Sequence, residues 1–407
     1  MAFLSASRRH FSLFCHLRRG LSTAENASGP AGISAAAAKY RLQKEFDPDR
    51  ALSILSAVDA KASPVATSRY ALELTVRRLA RTRRFSDVEA LIESRKSEAT
   101  SLTEPYVVSL IISYGSAGML DHAIRTFDQV PTLTSAPHSV LSFNALLTAC
   151  SRAKKPFRVP SLFAKLSEEH SITPDCFSYG ILIKSLCVSG KVTKALETLR
   201  EMVEVKQLEP TLIIYTTLID SLYKAGKQEE AEELWKKMVE KGCVPDQAAY
   251  NVRVMHRALN GKPEEVLELI KEMEAAGLGP DRITYTYLIT CHLNAGQHED
   301  AMQVYKGLRK KGPKPNAKMF KILLTHLCEI EDFDTGFAVF KDSLRFNKVP
   351  DFQTVKLLVS GLVKEDKVQA AKEVIDKVKK HFPENLVQRW KKVEEELGLN
   401  EEAADAA

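Results

Sequence analysis

The chain has 407 residues, 44% hydrophobic and 27% charged, a balance that excludes collagen-like and intrinsically disordered classes. Seven cysteines in this length exclude a disulfide scaffold, and 18 glycines, a share well below the usual one of about 7%, disfavour turn-rich all-β folds. Four of the six net positive charges are Arg8, Arg9, Arg18 and Arg19, so the rest is nearly neutral and any nucleic-acid footprint must be local.

Residues 1–23 are rich in Arg and Ser, lack acids, and interrupt their apolar stretches with basic residues. That composition predicts a transit peptide rather than a secretory signal. The expected address is the mitochondrial matrix, with plastid the lesser alternative, and RRGLST places cleavage near Ser22 or Thr23. Residues 24–68 read as a low-complexity lead-in, including SAAAAKY, followed by a degenerate half-repeat, PDRALSILSAV. No apolar run is long enough to span a bilayer.

Periodicity then organises residues 69–384. Pro174, Pro210, Pro245, Pro280, Pro315 and Pro350 recur at 36 and then 35 residues, as do the aromatics Phe143, Tyr179, Tyr215, Tyr250, Tyr285 and Phe320. Ala195, Ala231, Val266, Ala301, Gly336 and Ala371 share the period. Three residue types on one period define an array of tandem units. The units run 69–103, 104–139, 140–175, 176–211, 212–246, 247–281, 282–316, 317–351 and a shortened 352–384. Residues 385–407 read as a capping helix and an acidic tail.

Each unit reads as two antiparallel helices. Tyr215, Leu218, Ile219 and Leu222 share one helical face, and Gly226 ends that helix; Ala231, Leu234, Trp235 and Met238 repeat the spacing before Gly242 and Pro245 stop the second. Neither helix can bury its stripe alone, so neighbouring units must stack. The expected fold is all-α, a right-handed superhelical solenoid of about nine helix-turn-helix repeats of 35–36 residues.

The segments LIIYTTLIDSLYKAGKQEEAEELWKKMVEKGCVPD and RITYTYLITCHLNAGQHEDAMQVYKGLRKKGPKPN resemble pentatricopeptide repeats, and the uniform spacing resembles the P-type class of land-plant organelles. The resemblance implies binding of single-stranded RNA at about one base per repeat. It implies reading by the fifth residue of the first helix together with the last residue of the unit. Carried over, Asn144 with Asp175 and Asn251 with Asp281 resemble uracil-preferring pairs, Thr216 with Asp246 a guanine reader, and Thr286 with Asn316 an adenine reader. Gly180 with Thr211, Val108 with Ser139, Glu73 with Thr103 and Lys321 with Asp351 match no common pair, and Lys356 stands in the shortened unit without a partner. Lys321 and Lys356 at reading positions are expected to hold phosphate.

Asp175, Asp246, Asp281 and Asp351 precede first helices and are also good N-caps. The recurring aromatics lie on the apolar stripe and are expected to pack in the core rather than stack on bases. Cys150, Cys187, Cys291 and Cys328 read as small buried residues, with no C-x-x-C for zinc or redox pairing. Two basic stretches, Arg77 to Arg84 and Arg309 to Lys318, are candidate phosphate contacts. No catalytic motif, cofactor loop or metal-ligand spacing occurs, which points to neither enzyme nor small-molecule substrate. The expected function is a mitochondrial RNA-binding adaptor on messenger or ribosomal RNA. The alternatives are a structural constituent of the mitochondrial ribosome, held on ribosomal RNA and neighbouring proteins, and a protein-binding scaffold.

Overall fold

The computed structural model describes residues 33–58, 65–97, 102–380 and 384–399. The leader at 1–23 and the acidic tail beyond residue 399 lie outside them. The described residues form 22 α-helices and no strand beyond a single bridge between Ile33 and Val58, the all-α helical-repeat fold expected. None of these helices is long and apolar enough to cross a membrane.

Two compact units follow one another, one ending at Lys154 and the other beginning at Lys155. The first contains α1 (Ala35–Lys44), α2 (Pro48–Ser56), α3 (Val65–Arg81), α4 (Phe85–Ser97), α5 (Glu104–Ser116), α6 (Leu120–Asp128), the short α7 (Val130–Thr134) and α8 (Val140–Arg152). Helices α1 and α2 pack on α3, α3 on α5, and α5 on α6 and α8. The alanine run is more ordered than its composition suggests. Ser34 caps α1 by accepting from the Ala37 amide, alanine is the strongest helix former, and Ala38 and Leu42 are fully buried. Gly115 meets Ala149 so closely that an added Cβ would overlap the Ala149 backbone, which brings α5 tight against α8.

The second unit contains α9 (Val159–Glu169), α10 (Cys176–Val188), α11 (Val192–Arg200), α12 (Leu212–Lys224), α13 (Gln228–Glu240), α14 (Gln247–Asn260) and α15 (Pro263–Ala275). It continues with α16 (Arg282–Asn294), α17 (His298–Lys311), α18 (Ala317–Glu329), α19 (Phe333–Arg345), α20 (Phe352–Lys364), α21 (Val368–Lys379) and α22 (Glu384–Glu396). From α10 onward, consecutive helices form hairpins, and the first helices α10, α12, α14, α16, α18 and α20 pack one on the next. They form one layer and the second helices another.

Local chemistry makes each hairpin turn. Gly226 takes φ +74° after α12, and the Lys227 amide reaches back to the Leu222 carbonyl at 3.0 Å. That closes the helix end in the left-handed conformation glycine adopts at low cost. Three equivalent turns among the described residues lack glycine: Arg83 at φ +60°, Glu331 at φ +60° and Asp366 at φ +59° occupy the same conformation.

The repeats are joined by a recurring aromatic contact. A ring on the second helix of one unit meets, edge to face, the fourth residue of the next first helix: Phe163 with Tyr179 at 5.4 Å, Trp235 with Tyr250 at 5.1 Å, and Tyr305 with Phe320 at 6.2 Å. Such pairs contribute about 0.5–1.5 kcal/mol beyond burial. Phe143, Tyr179, Tyr215, Tyr250 and Phe320 are buried as expected, whereas Tyr285, opposite Ile270 rather than a ring, is only half-buried. The 36-residue unit 176–211 absorbs its extra residue in a π-helical turn, Glu201–Val205, in which the Lys206 amide donates to the Glu201 carbonyl at 3.0 Å.

One core position departs from the pattern. Arg253 on α14 stands where α12, α16, α18 and α20 bury Leu218, Leu288, Leu323 and Leu358. Its guanidinium donates to Glu232 at 2.8 Å and Glu272 at 2.7 Å, over the Trp235 ring. The two carboxylates compensate a charge that the stripe would otherwise exclude.

Candidate nucleic-acid interface

The last residue of each unit is the N-cap of the next first helix: Thr103, Ser139, Asp175, Thr211, Asp246, Asp281, Asn316 and Asp351. In the five Asp and Asn cases Oδ1 accepts from a backbone amide of the helix's first turn, at 2.8–3.2 Å. Capping therefore engages one terminal atom and leaves Oδ2 of Asp, or Nδ2 of Asn, directed elsewhere. Thr103 and Thr211 make no side-chain cap bond.

In three units the fifth residue of the first helix meets the last residue of the unit. Asn251, buried on α14, donates through Nδ2 to Asp281 Oδ1 at 3.3 Å, while its own Oδ1 accepts from the Thr284 hydroxyl at 2.7 Å. One unit on, Asn316 Nδ2 donates to Thr286 Oγ1 at 3.4 Å, and the Thr286 hydroxyl donates to the Arg282 carbonyl at 2.6 Å. Lys321 pairs with Asp351 at 2.9 Å. The structure thus brings together three of the pairs named from the sequence.

Thr216 and Asp246 face a common groove without bonding one another: Thr216 donates to the Leu212 carbonyl and Asp246 caps α14. The groove, about 640 Å³, lies among α10, α12 and α14, with Ile213, Ala248 and Val252 as apolar walls and Lys184 and Lys224 at its edge. Asn144 is buried on α8 in the first unit, and Asp175 caps α10 in the second.

Charge is balanced more locally than the sequence suggests. Lys356 does have a carboxylate partner, Glu396 of α22, at 2.8 Å. Arg77 pairs with Glu73, Arg84 with Asp49 and Asp87, and the buried Arg78 donates to the Leu42 carbonyl, which leaves Arg81 and Arg83 exposed in that stretch. In the second stretch Arg309 pairs with the buried Asp342, Lys318 lies over the Tyr287 ring, and Lys310 and Lys314 are exposed. Burial tends to raise the Asp281 carboxyl, but the amides of Thr284 and Ile283 hold it below the ordinary range. Asp351 is likewise held low, against burial, by Lys321 and the Thr354 amide. Cys150 and Cys291 are buried, while Cys187 and Cys328 are half-buried; burial pushes the Cys328 thiol up to about 11, away from reactivity.

One set of residues escaped the sequence reading. Leu141, Phe177, Ile213 and Ile283 are large apolar side chains at the second position of their helices, and all are exposed; Ile213 keeps 75% of its surface. They lie off the buried stripe beside the polar pairs, where a flat apolar wall can receive the face of a base. Their signal was an apolar residue at a fixed place outside the core periodicity.

A layer of first helices, several of them carrying a polar pair at the N-terminal end, defines a helical-repeat protein. Models of the PPR repeat family match residues 210–254 and 280–329, and PPR repeat models match 107–132, 141–170, 170–203 and 258–278, together about half of the chain. The chain belongs to the pentatricopeptide repeat family. It is 50% identical over 225 residues to the small ribosomal subunit protein mL103 (rPPR7) of Arabidopsis thaliana, covering 55% of this chain and 54% of that protein. It is 46% identical over 252 residues to a mitochondrial pentatricopeptide repeat-containing protein of the same plant, 60% of each chain, and 39% identical over 130 residues to the small ribosomal subunit protein mS79 (rPPR3b), 32% of this chain and 33% of that one. The chain thus spans 60% or less of the length of these relatives. Among solved structures it resembles the pentatricopeptide repeat protein PPR10 from maize, with a TM-score of 0.51 and 22% identity over 84% of this chain and 49% of that one. PPR10 in complex with an 18-nt psaJ RNA element gives a TM-score of 0.55 and 19% identity over 88% and 57%. At these identities the likeness is one of fold.

Proposed function

We propose that this protein is a mitochondrial, P-type, non-catalytic adaptor that binds single-stranded RNA along its first helices. The observation that carries the reading is the run of three adjacent units whose fifth and last residues converge: Thr216 with Asp246, Asn251 with Asp281, and Thr286 with Asn316. Each set offers donors and acceptors at the spacing of one helical repeat, with an exposed apolar residue alongside in the first and third. The Arg- and Ser-rich leader and the mitochondrial names among the relatives support the address. The test is selection from a randomised RNA library: enrichment of a G-U-A core supports coded reading, and recovery of RNA with no base preference overturns it.

A second reading is that the protein is a constituent of the mitochondrial ribosome. Relatives bearing ribosomal names favour it, and so does a readable run of only three bases, followed by Lys321 and Lys356, which pair with Asp351 and Glu396. Three bases recur by chance about once in 64 nucleotides at one base per repeat, too often to choose one transcript. Sedimentation of the tagged protein from mitochondrial lysate separates the two. Co-migration with a ribosomal subunit and its RNA makes it a ribosomal component. A light, nuclease-sensitive particle carrying a few messages makes it a transcript-specific factor.

A further inference from the structure

We infer that Thr284, the third residue of α16, is a specificity-positioning residue for the neighbouring reader, orienting the Asn251 carboxamide so that it presents N–H rather than C=O to the base. This rests on the proposed reading of RNA by Asn251 and Asp281. The Thr284 hydroxyl accepts from the Asp281 amide at 3.1 Å and has one proton to give. Two acceptors compete for it, Asn251 Oδ1 at 2.7 Å and Asp281 Oδ1 at 3.1 Å. Asp281 Oδ1 already receives the amides of Ile283 and Thr284 at 2.8 and 3.0 Å, so the hydroxyl proton goes to Asn251.

The consequence follows from the donor inventory. With Oδ1 engaged by Thr284 and one Nδ2 hydrogen directed at Asp281, Asn251 has one N–H left for a ligand. Asp281 contributes Oδ2, which the cap leaves outside. The groove therefore offers one donor beside one acceptor. A base must answer with a carbonyl next to a ring N–H, which uracil (O4 and N3–H) and the larger guanine (O6 and N1–H) have and which adenine and cytosine lack. A turned carboxamide would place its oxygen against the acceptor-only Asp281 and show the base two acceptors, the pattern that favours amino groups. Thr284 is the shorter of the two restraints, and Asn251 is buried enough that its oxygen has no water in exchange. The next unit has Met319 at this position; there Asn316 is oriented by its own cap, which engages Oδ1 on the Met319 amide at 2.8 Å.

The test is the base preference of Thr284→Val and Thr284→Ser in the full chain, read by selection from randomised single-stranded RNA 12-mers. Thr284→Val keeps shape and removes the hydroxyl. We expect uracil preference at the Asn251 base to fall about tenfold, with preferences at the bases facing Thr216 and Thr286 unchanged, and Thr284→Ser to restore the wild-type profile. If wild type prefers uracil there and Thr284→Val does so equally, the inference fails while RNA reading stands. If wild type shows no preference at any position, the proposed function fails and takes the inference with it. If Thr284→Val loses its helical circular dichroism, Thr284→Ala replaces it. Should neither fold, wild type is offered RNA with 4-thiouracil, which keeps N3–H and replaces the 4-carbonyl oxygen by a weaker sulfur acceptor, in place of that uracil. Undiminished binding then overturns the donor-outward orientation, and a comparable loss supports it.

Discussion

Asn251 and Asp281 stand 30 residues apart and meet at 3.3 Å, and the same Asp281 oxygen that receives the Asn251 amide also caps the next helix. The joint between two repeats and the proposed recognition position are one cluster of atoms. Capping and pairing with the fifth residue fall here on one carboxylate oxygen, which leaves Oδ2 for the proposed contact with a base.

That coincidence can be separated by substitution. Asp281→Asn retains a cap, as Asn316 does in the next unit, and is expected to change stability by less than about 1 kcal/mol while altering base preference at one position. Asp281→Ala loses both, at about 1 kcal/mol of stability. The combined change Asn251→Asp with Asp281→Asn should move preference at that base while leaving overall affinity nearly intact. Urea melts and randomised-RNA selection on the three variants check this, and an unchanged preference in all of them removes the reading role.

Replacing Glu331 by glycine should stabilise the protein. Glu331 holds φ +60° in an exposed turn where Gly226 serves the equivalent hairpin. A left-handed non-glycine residue costs about 1–2 kcal/mol, offset in part by the freedom glycine adds to the unfolded chain. The urea midpoint should rise, by about 1 kcal/mol at most; a fall would mean that the side chain contributes more than its backbone strain costs.

Acid should weaken the fold through the same aspartates. At Asp220, Asp281 and Asp351 burial acts to raise the carboxyl, and hydrogen bonds outweigh it: from His256 and Lys224, from the Thr284 and Ile283 amides, and from Lys321 and the Thr354 amide. All three stay below the ordinary aspartate value of 3.8. A group more acidic folded than unfolded contributes its full stabilisation above the unfolded value and loses it as pH falls through the folded one. The urea midpoint should decline below about pH 4, less steeply in Asp281→Asn. A midpoint that rises on acidification contradicts the assignment.

RNA affinity should fall as salt rises, since phosphate neutralisation releases counterions. Lys310 and Lys314 are exposed cations of the second basic stretch. Lys314→Ala is expected to lower the log–log slope by about 1 and to weaken all sequences alike. A salt-independent affinity would favour the protein-scaffold reading.

Much of the fold was legible because its signals are local. The proline period, the stripe of Tyr215, Leu218, Ile219 and Leu222, and Gly226 each report on a few neighbouring residues. The burial of Phe143 and Phe320 follows from the same stripe. The missed features depend on contacts between repeats. Glu396, forty residues from Lys356, is its partner, and the two arginines beside Glu73, Arg77 and Arg152, come from different repeats. The Thr284 hydroxyl was hidden for the same reason: its sequence context marks a capping box, and only packing of α14 against α16 brings Asn251 to it. Arg253 on an apolar stripe was a visible irregularity whose remedy, Glu232 and Glu272, lies on α13 and α15.

Because the final residue of each repeat begins a helix, its chemistry is chosen from a short alphabet. All eight such positions are Asp, Asn, Ser or Thr, the side chains that suit a helix start. Any rewriting of the groove there that keeps the helices intact must be spelled with those four letters. The fifth position, which begins no helix, carries Glu, Val, Asn, Gly, Thr and Lys across this one chain. In the proposed reading, half of the recognition vocabulary is thus set by the grammar of helix termini, and the other half is free to vary.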